Sequence, residues 1–327
     1  YLCCIFAVTI ICGCSKTNNL IKDIYFLGKE QRIYGVNIID KEPQIIVNQH
    51  SWDISVSPDG KNIAYLSPDS NEIYQLFITS IVSKENNRCI TMLKEAPVVL
   101  DGNFTPVYSW SPDGKNIVCY TGKDLVIYDI ISFKNDTLPI NVVEAPYTSY
   151  IYGLRWSPAG DFIACLPGED VFTYSIKSKK WFRVTNRKDI GGTSLCWSND
   201  GRYLLYCQNE KTYLFDVYAK KEMIVYDGEV QYAQFTSDKM KIIYVDFYGT
   251  NISNLFSIDI NTKEVKQLTN NKLFVADFTL LNDTIIVYDY GVNKEWKLMC
   301  LNLKNLSTHE LIDTIFSSYC LPTVKHK

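Results

Sequence analysis

A four-residue turn, Ser-Pro-Asp-Gly, recurs along this chain and constrains its fold more than any other sequence feature. The turn is complete at residues 57–60 and 111–114 and altered at residues 157–160 and 198–201. Each copy lies between two short apolar runs, a pattern that predicts a β-hairpin. Proline presets φ at the second position, aspartate accepts bonds from nearby amides, and glycine adopts the positive φ that closes the loop. We therefore expect structural roles for the turn residues Pro58, Asp59, Gly60, Pro112, Asp113, Gly114, Pro158, Gly160, Asp200 and Gly201.

The repeat extends beyond its turn. Tryptophan directly precedes three of the turns, as Trp110, Trp156 and Trp197. An Ile- or Leu-rich triplet that ends in Tyr or Cys follows each turn, and it also follows two weaker turns at residues 236–238 and 281–283. These six aligned copies begin 38 to 54 residues apart. Such intervals bracket the roughly 40 to 50 residues of one four-stranded propeller blade.

Counting strands gives a blade number. The copies predict inner strands at residues 52–57, 106–111, 152–157, 193–198, 232–236 and 274–280. Two sets of predicted strands are then left over. One set has no first strand and consists of residues 24–27, 32–39 and 44–47. The other is a single first strand, residues 315–320, with no strands after it. Pairing this C-terminal strand with the N-terminal strands closes one more blade and removes the free sheet edges. The sequence therefore predicts an all-β, seven-bladed β-propeller, with a six-bladed ring as the alternative.

The full pattern, an aromatic residue followed by Ser-Pro-Asp-Gly-Lys-x-Ile-x-Tyr, resembles the WD-like repeats of the TolB-type β-propeller lipoprotein family, also called PD repeats. Similar repeats occur in the propeller domains of prolyl oligopeptidase and dipeptidyl peptidase relatives. The resemblance covers about residues 24 to 320. It implies a propeller fold and is specific for that fold, whereas it implies no particular activity.

The N-terminal segment predicts a targeting signal. Residues 1–13 are apolar except for Thr9, too few to span a bilayer but suited to the core of a secretory signal. The sequence Ile-Cys-Gly-Cys at 11–14 resembles a bacterial lipobox, which implies that Cys14 is lipidated. An ordinary cleaved signal or a disordered tail is the alternative. The chain opens with neither methionine nor a basic stretch, so we expect a truncated start.

These observations predict one folded domain in an envelope-anchored chain. We expect a lipoprotein signal segment at 1–14, a tether at 15–22, the β-propeller at 23–321 and a tail at 322–327. The expected location is the bacterial cell envelope, lipid-anchored to the outer face of a membrane or facing the periplasm. We expect a monomer.

Composition argues against several function classes. A net charge of −3 without a long basic run disfavours nucleic acid as a partner. Three histidines and cysteines without C-x-x-C spacing predict no metal site, and we expect no cofactor. Cys119 and Cys165 occupy positions that Tyr holds in other repeats, so we expect them to be buried packing residues. Nucleophile-elbow, P-loop and dinucleotide-binding motifs are absent from the sequence.

The loops opposite the Ser-Pro-Asp-Gly turns are the predicted binding surface. We call the side with these turns the turn face and the other side the loop face. The loop face is built by the loops that lead into inner strands and by those that join second and third strands. Aromatic anchors with polar surroundings suit a protein or glycan partner. The candidate binding residues are Trp52, Phe104, Tyr150, Tyr152, Tyr232 and Tyr248; packing between blades is their alternative role.

Acidic residues accompany these aromatics. Glu169 with Asp170, and Asp69 with Glu72, could serve as the acid and base of a glycosidase, but solvated loop charges are the interpretation we favour.

Two functions therefore remain. The first is a non-catalytic cell-envelope binding or scaffold propeller that recognises a protein or an envelope glycan. The alternative is a carbohydrate-active hydrolase or lyase that uses funnel carboxylates, and we assign no catalytic residue.

Overall fold

The computed structural model consists of seven four-stranded antiparallel sheets arranged in a ring. This arrangement is a seven-bladed β-propeller, which confirms the predicted fold. The structure describes residues 9–10, 22–38, 41–83, 87–91, 108–138, 151–167, 170–185, 194–238, 240–248, 252–271, 274–275, 277–292 and 295–312. The described parts of the chain contain no helix of the length and apolarity that crossing a membrane requires.

Each blade contains four consecutive strands, and a short 3-10 turn, Lys29–Gln31, lies between the second and third strands of blade 1. Blades 1 and 2 contain β1 (Thr9–Ile10), β2 (Ile24–Leu27), β3 (Ile33–Val36) and β4 (Gln44–Val47), then β5 (Trp52–Val56), β6 (Asn62–Pro68), β7 (Tyr74–Ser80) and β8 (Arg88–Cys89). Blades 3 and 4 contain β9 (Tyr108–Trp110), β10 (Asn116–Tyr120), β11 (Leu125–Asp129) and β12 (Asn135–Leu138), then β13 (Ile151–Trp156), β14 (Phe162–Pro167), β15 (Phe172–Ser175) and β16 (Lys180–Arg183). Blade 5 contains β17 (Leu195–Trp197), β18 (Tyr203–Gln208), β19 (Lys211–Asp216) and β20 (Lys221–Tyr226). Blades 6 and 7 contain β21 (Gln231–Phe235), β22 (Lys241–Tyr248), β23 (Ile252–Asp259) and β24 (Val265–Gln267), then β25 (Phe278–Asn282), β26 (Ile285–Val292), β27 (Glu295–Asn302) and β28 (Thr308–Ile312).

The first strands of the blades lie at the centre of the ring. Neighbouring first strands contact one another in the order β9, β13, β17, β21, β25 and β1, and blade 1 contacts blade 2 through β2 and β5. The apolar faces of adjacent sheets pack together into the core, as where Val118 of blade 3 meets Ile163 of blade 4. The residue that ends each Ile- or Leu-rich triplet is buried in this core: Tyr65, Cys119, Cys165, Tyr206, Tyr244 and Tyr288. Burial of the free thiols Cys119 and Cys165 confirms their predicted packing role.

The recurring turn has a repeated hydrogen-bond pattern. Ser57 Oγ donates to Asp59 Oδ1 (2.6 Å), and the Asn62 amide donates to Ser57 Oγ (3.0 Å). The Gly60 amide donates to the Ser57 carbonyl at 2.7 Å. The same contacts recur in the second and fourth turns. Gly60 and Gly114 have φ of 69° and 68°, which confirms the positive φ predicted for these positions.

Two of the three tryptophans that precede the turns join adjacent blades through their indole groups, whereas Trp156 Nε1 donates to the Gly160 carbonyl of its own turn at 3.3 Å. Trp110 Nε1 donates to the carbonyl of Ser55 in blade 2 at 3.2 Å, and Trp197 Nε1 donates to the carbonyl of Arg155 in blade 4 at 3.1 Å. In the opposite direction, Gln234 Nε2 of blade 6 donates to the carbonyl of Phe278 in blade 7 at 2.9 Å. These side chains satisfy backbone groups on first strands that have no further strand beside them.

The fold differs from the sequence analysis in the first strands of blades 1 and 7. The strand beside β2 is Thr9–Ile10, from the segment expected to be a signal, whereas residues 315–320 lie outside the described residues. Ladder bonds are made by the backbone, so an extended segment of almost any sequence can pair with a free edge. The first strand of blade 7 is Phe278–Asn282, later than the expected 274–280; among the described residues just before it, Phe274 forms an isolated bridge with Gly291.

A comparison of two glycine substitutions, one in an open turn and one in a crowded turn, tests the turn geometry. An added Cβ at Gly114 would lie 3.5 Å from Asp59 Cγ, an ordinary contact, whereas at Gly201 it would lie 2.8 Å from Ala159 Cβ. Gly114→Ala should therefore cost about 1 kcal/mol of unfolding free energy through its positive φ alone. Gly201→Ala should lower the free energy of unfolding further, since overlap of the added Cβ with Ala159 is added to the same backbone strain. Urea unfolding of both variants measures this difference, and equal losses would contradict the crowding between neighbouring turns.

Candidate functional site

Trp52, the first residue of β5, is half-buried on the loop face. Its ring centroid lies 5.7 Å from that of His50 and 6.3 Å from that of Tyr74, and both ring pairs meet edge to face. Such pairs contribute about 0.5 to 1.5 kcal/mol beyond the area they bury. The structure therefore brings together an aromatic group of three side chains around one predicted binding residue.

The structure describes the other predicted binding residues less completely than it describes Trp52. Tyr232 is half-buried and packs against the apolar cluster between blades 6 and 7. Its φ is 52°, in the left-handed region. Tyr152 lies in β13 and Tyr248 lies in β22, but their side chains are outside the described residues, as are Phe104 and Tyr150. Their role in binding stays a prediction.

Asp69, one of the four loop carboxylates named in the sequence analysis, holds its own loop together, whereas Glu72 is exposed. Asp69 Oδ1 accepts the amides of Asn71 (2.8 Å) and Ile73 (3.1 Å). The side-chain amide of Gln75, which donates to Asp69, and these backbone amides lower the pKa of Asp69.

Asp170 is largely buried and ion-paired with Arg183, and it accepts the hydroxyl of Thr185 at 2.8 Å. It is therefore a buried, paired group and not the solvated loop charge that we expected. Glu169 lies outside the described residues.

A separate charged cluster lies at the centre of the ring. Asp53 of β5, Arg155 of β13 and Asp277, which directly precedes β25, belong to blades 2, 4 and 7. The two carboxyl groups interact electrostatically with the one guanidinium group. Because these blades are not neighbours, the interaction crosses the middle of the ring. Asp53 and Asp277 lie at the starts of their first strands, which places them toward the loop face.

Asp53 is held in an unusual backbone conformation. The pairing of β5 with β6 shifts register between Trp52 and Ile54, so Asp53 is the extra residue of a β-bulge, with φ of 41°. The hydroxyl of Tyr108 donates to the Asp53 carbonyl at 2.9 Å. Bulges and left-handed non-glycine residues are concentrated near functional sites, where they re-aim a side chain.

Burial and charge together shift the ionisation of this cluster. Burial raises the pKa of Asp53 to about 7, and the nearby charge of Arg155 opposes this rise. Burial lowers the pKa of Arg155, whereas the negative charges of Asp53 and Asp277 raise it. Burial also raises the pKa of the neighbouring thiol of Cys196 to about 11, so this thiol is protonated near neutral pH and is a poor nucleophile. A carboxyl group with a pKa near 7 suits proton transfer.

Sequence reasoning missed Asp53, Arg155 and Asp277. A usable signal was present, since Asp53 and Arg155 are charged residues inside short apolar first strands, where neighbouring residues pack between blades. A charge at such a position indicates either a buried pair or exposure to the central channel. The bulge and the blade order, which bring these groups together, are not visible in the sequence.

An acidic cavity of about 530 Å³ opens on the loop face between blades 5 and 6. Its charged lining residues are Glu210, Lys211, Asp227, Glu229 and Asp246, of which Lys211 and Asp227 form an ion pair at 3.1 Å. Among the residues that the structure describes, no group of three or more His, Cys, Asp or Glu side chains is arranged to hold a metal ion.

The fold and this site define a class of protein: a seven-bladed propeller with a charged cluster at the centre of its ring. No protein-family model matches the sequence, and no curated protein matches it. TolB from Acinetobacter baumannii is similar in structure, with a TM-score of 0.54 and 15% identity over 80% of this chain and 65% of TolB, so the chain spans less than two thirds of that protein. Oligogalacturonate lyase in complex with manganese is similar with a TM-score of 0.57 and 13% identity, over 78% of this chain and 74% of the lyase. These similarities confirm a TolB-like propeller fold.

The shifted pKa of Asp53 predicts a pH effect on stability. A free aspartate has a pKa of about 3.9, so between that value and about 7 the folded protein holds a proton that the unfolded chain releases. The stabilisation of the folded protein by the proton on Asp53 is complete below pH 4 and is lost as the pH rises through 7. Asp53→Asn should therefore show a smaller fall in melting temperature between pH 5 and pH 8 than the unmodified protein. Asp227→Asn, at an exposed position, is the matched control, and equal falls in all three proteins would contradict the assignment.

Proposed function

We propose that this chain is a non-catalytic binding propeller of the bacterial cell envelope, which recognises a protein or an envelope glycan through its loop face. The observation that supports this most directly is the engagement of Asp69 and Asp170, two of the four loop carboxylates named in the sequence analysis. Asp69 binds amides of its own turn, and Asp170 is paired with Arg183 and Thr185. Carboxylates that are committed to loop structure are poor candidates for acid and base.

The aromatic group around Trp52 supports the same proposal. Half-buried aromatic rings that are already packed lose little side-chain freedom on binding, and so they suit the centre of an interface. We propose that Trp52, Tyr150, Tyr152 and Tyr232 contact the partner, and that Phe104 and Tyr248 extend this surface.

Alanine substitution tests the proposed surface. The double variant Tyr150→Ala, Tyr152→Ala should weaken binding by about 2 kcal/mol, or roughly 30-fold in Kd, if these residues are hot spots. Binding is measured with the immobilised protein against solubilised envelope proteins and, separately, against soluble envelope glycan fragments. Tyr218→Ala is the matched control, because Tyr218 is 55% exposed and follows β19 on the turn face. Equal binding by the double variant and the control would contradict the proposal.

The second candidate function is a carbohydrate-active hydrolase or lyase. The observation that favours it is the central cluster, where Asp53 has a pKa near 7 beside Arg155. Asp53 would transfer a proton, and the Arg155 guanidinium would bind an acidic group of the sugar. The oligogalacturonate lyase with a similar fold makes uronate oligosaccharides a sensible first substrate to test. Cleavage that is lost in Asp53→Asn and retained in Asp227→Asn would overturn the non-catalytic proposal.

We further propose that Cys14 carries the lipid anchor. Cys14→Ala in the complete gene should leave the protein either uncleaved or soluble in the envelope, because one acyl chain alone holds weakly and a multiply acylated cysteine holds firmly. Cleavage before Cys14 would also remove Thr9–Ile10, and we propose that residues 315–320 then pair with β2. In the processed protein, deletion of the residues after Asp313 should accordingly lower the melting temperature. Normal processing and fractionation of Cys14→Ala would rule out this anchor.

A further inference from the structure

The turn face carries a second set of loops, the hairpins that join the third and fourth strands of the blades. The end of each third strand pairs with a residue that directly follows a turn, as Ser80 does with Asn62 and Asp129 with Asn116. These hairpins therefore lie on the turn face, farther from the centre than the Ser-Pro-Asp-Gly turns. We call them the hairpin tips, which in blades 2 to 7 comprise residues 81–83, 130–134, 176–180, 217–221, 260–264 and 303–307.

The hairpin tips concentrate positive charge. Within these described ranges there are eight lysines, one in blade 3, three in blade 4, two in blade 5 and one each in blades 6 and 7, and all are exposed. The acidic residue in the same ranges is Glu264, whereas the whole chain has a net charge of −3. Asp129, Asp216 and Asp259, which precede three tips, accept amides of their own tips. The tips thus form an outer set of positive charges that attracts an anionic partner.

Large apolar side chains stand among these lysines. Four of them are exposed on the tips: Val82 at 37%, Ile131 at 73%, Phe133 at 45% and Tyr218 at 55%. The other exposed large apolar side chains of the described residues lie on outer strands, at Met240 of a neighbouring turn and at Ile252 of the loop face. The guanidinium carbon of Arg88 in blade 2 lies 5.5 Å from the ring centroid of Phe133 in blade 3. Exposed apolar side chains that share one face mark a binding surface.

The backbone of the tips would favour glycine at one position that holds large side chains instead. In blades 3 to 7 one residue of each tip has φ between 53° and 65°, and its amide donates to the carbonyl four residues earlier. The residues at this position are Phe133, Lys179, Lys220, Lys263 and Leu306. Glycine adopts such a φ at the least cost. Side chains kept at a cost to the backbone point to a role outside the fold.

We propose that the hairpin tips dock the propeller on an anionic lipid bilayer. Val82, Ile131, Phe133 and Tyr218 enter the interface between head groups and acyl chains, and the lysines bind the anionic head groups. A soluble polyanion would bind the lysines but would leave Ile131 in water. A protein hot spot needs apolar anchors gathered in one packed cluster. Here the anchors are distributed over blades 2, 3 and 5, which suits a flat, extended surface.

The path of the chain agrees with this orientation. Ile24 begins β2 on the turn face, because it pairs with Val36 at the end of a third strand. The lipid anchor proposed at Cys14 is eight residues (22 − 14) before Lys22, the first residue of this described segment. Eight residues span at most about 28 Å. The turn face would then lie toward the membrane and the loop face away from it. This agreement rests on the proposed function, whereas the surface of the tips does not.

Vesicle binding of the full chain tests the proposal. Every sample carries Cys14→Ala, so that no acyl chain is attached, and residues 1–13 contribute equally to all samples. The vesicles consist of phosphatidylcholine alone or of equal parts phosphatidylcholine and phosphatidylglycerol. We expect tighter binding to the mixed vesicles, and this preference should weaken as salt is added. The double variant Ile131→Ser, Phe133→Ser should bind the mixed vesicles about tenfold more weakly, because two apolar side chains no longer enter the interface.

Two further variants separate apolar from electrostatic contributions. Met223→Ser, Ile224→Ser is the matched control, because these side chains are 47% and 49% exposed on the outer strand β20. It should bind the mixed vesicles like the unmodified chain. Lys177→Gln, Lys179→Gln should weaken binding to the mixed vesicles and leave binding to phosphatidylcholine unchanged. The melting temperature shows which variants are folded, and the lysine variant decides if the apolar variant does not fold.

Equal binding by the Ile131, Phe133 variant and its matched control, or equal binding of the unmodified chain to both kinds of vesicle, would overturn the bilayer as the partner. Dextran sulfate is the soluble polyanion for comparison. Binding of dextran sulfate that needs Lys177 and Lys179, with vesicle binding that does not need the apolar side chains, would assign the tips to a soluble polyanion instead. Capture of a loop-face partner is measured without vesicles, so its failure would count against the proposed function alone.

Discussion

The first strand of each blade has a neighbouring strand on one side only, and the fold depends on how the other edge is satisfied. A sheet edge with free amides and carbonyls invites pairing with other chains. Here the edges meet at the centre of the ring, where side chains from neighbouring blades bond to them. Trp110, Trp197 and Gln234 each reach across to the backbone of an adjacent first strand. Each such bond contributes about 1 kcal/mol net, but leaving the backbone group unpaired and buried would cost more.

The same closure creates the site. Seven sheets that converge on a common centre bring residues together that are far apart in the chain, and Asp53, Arg155 and Asp277 come from blades 2, 4 and 7. A cluster with limited access to water makes each charge costly unless it is paired. Two carboxyl groups interact with one guanidinium group, so the cluster lies close to a change of protonation state. Such a balance suits a ligand-binding centre, a proton-transfer centre or a pH-sensitive element.

Local distortion accompanies these groups. The pairing of the first and second strands shifts register in β5, β13 and β21, each time before the turn-face end of the first strand. Asp53 and Tyr232 adopt left-handed φ in two of these bulges. Blade 7 differs, because its register shift lies between Leu280 and Asn282, beside the turn. The repeat is thus interrupted on the loop-face side in three blades and on the turn-face side in blade 7.

The sequence alone determined the class of fold, because the turn chemistry of Ser-Pro-Asp-Gly and the alternation of the flanking strands are local properties. The positive φ of Gly60 and the burial of Cys119 followed from the same local pattern. The tertiary structure alone decided which charges meet, since Asp53 and Asp277 are 224 residues apart in the numbering of the chain. It also decided that Asp170 is paired with Arg183. The physical reason is that turns depend on backbone preferences of a few adjacent residues, whereas electrostatic pairing depends on distances that exist only after the ring has closed.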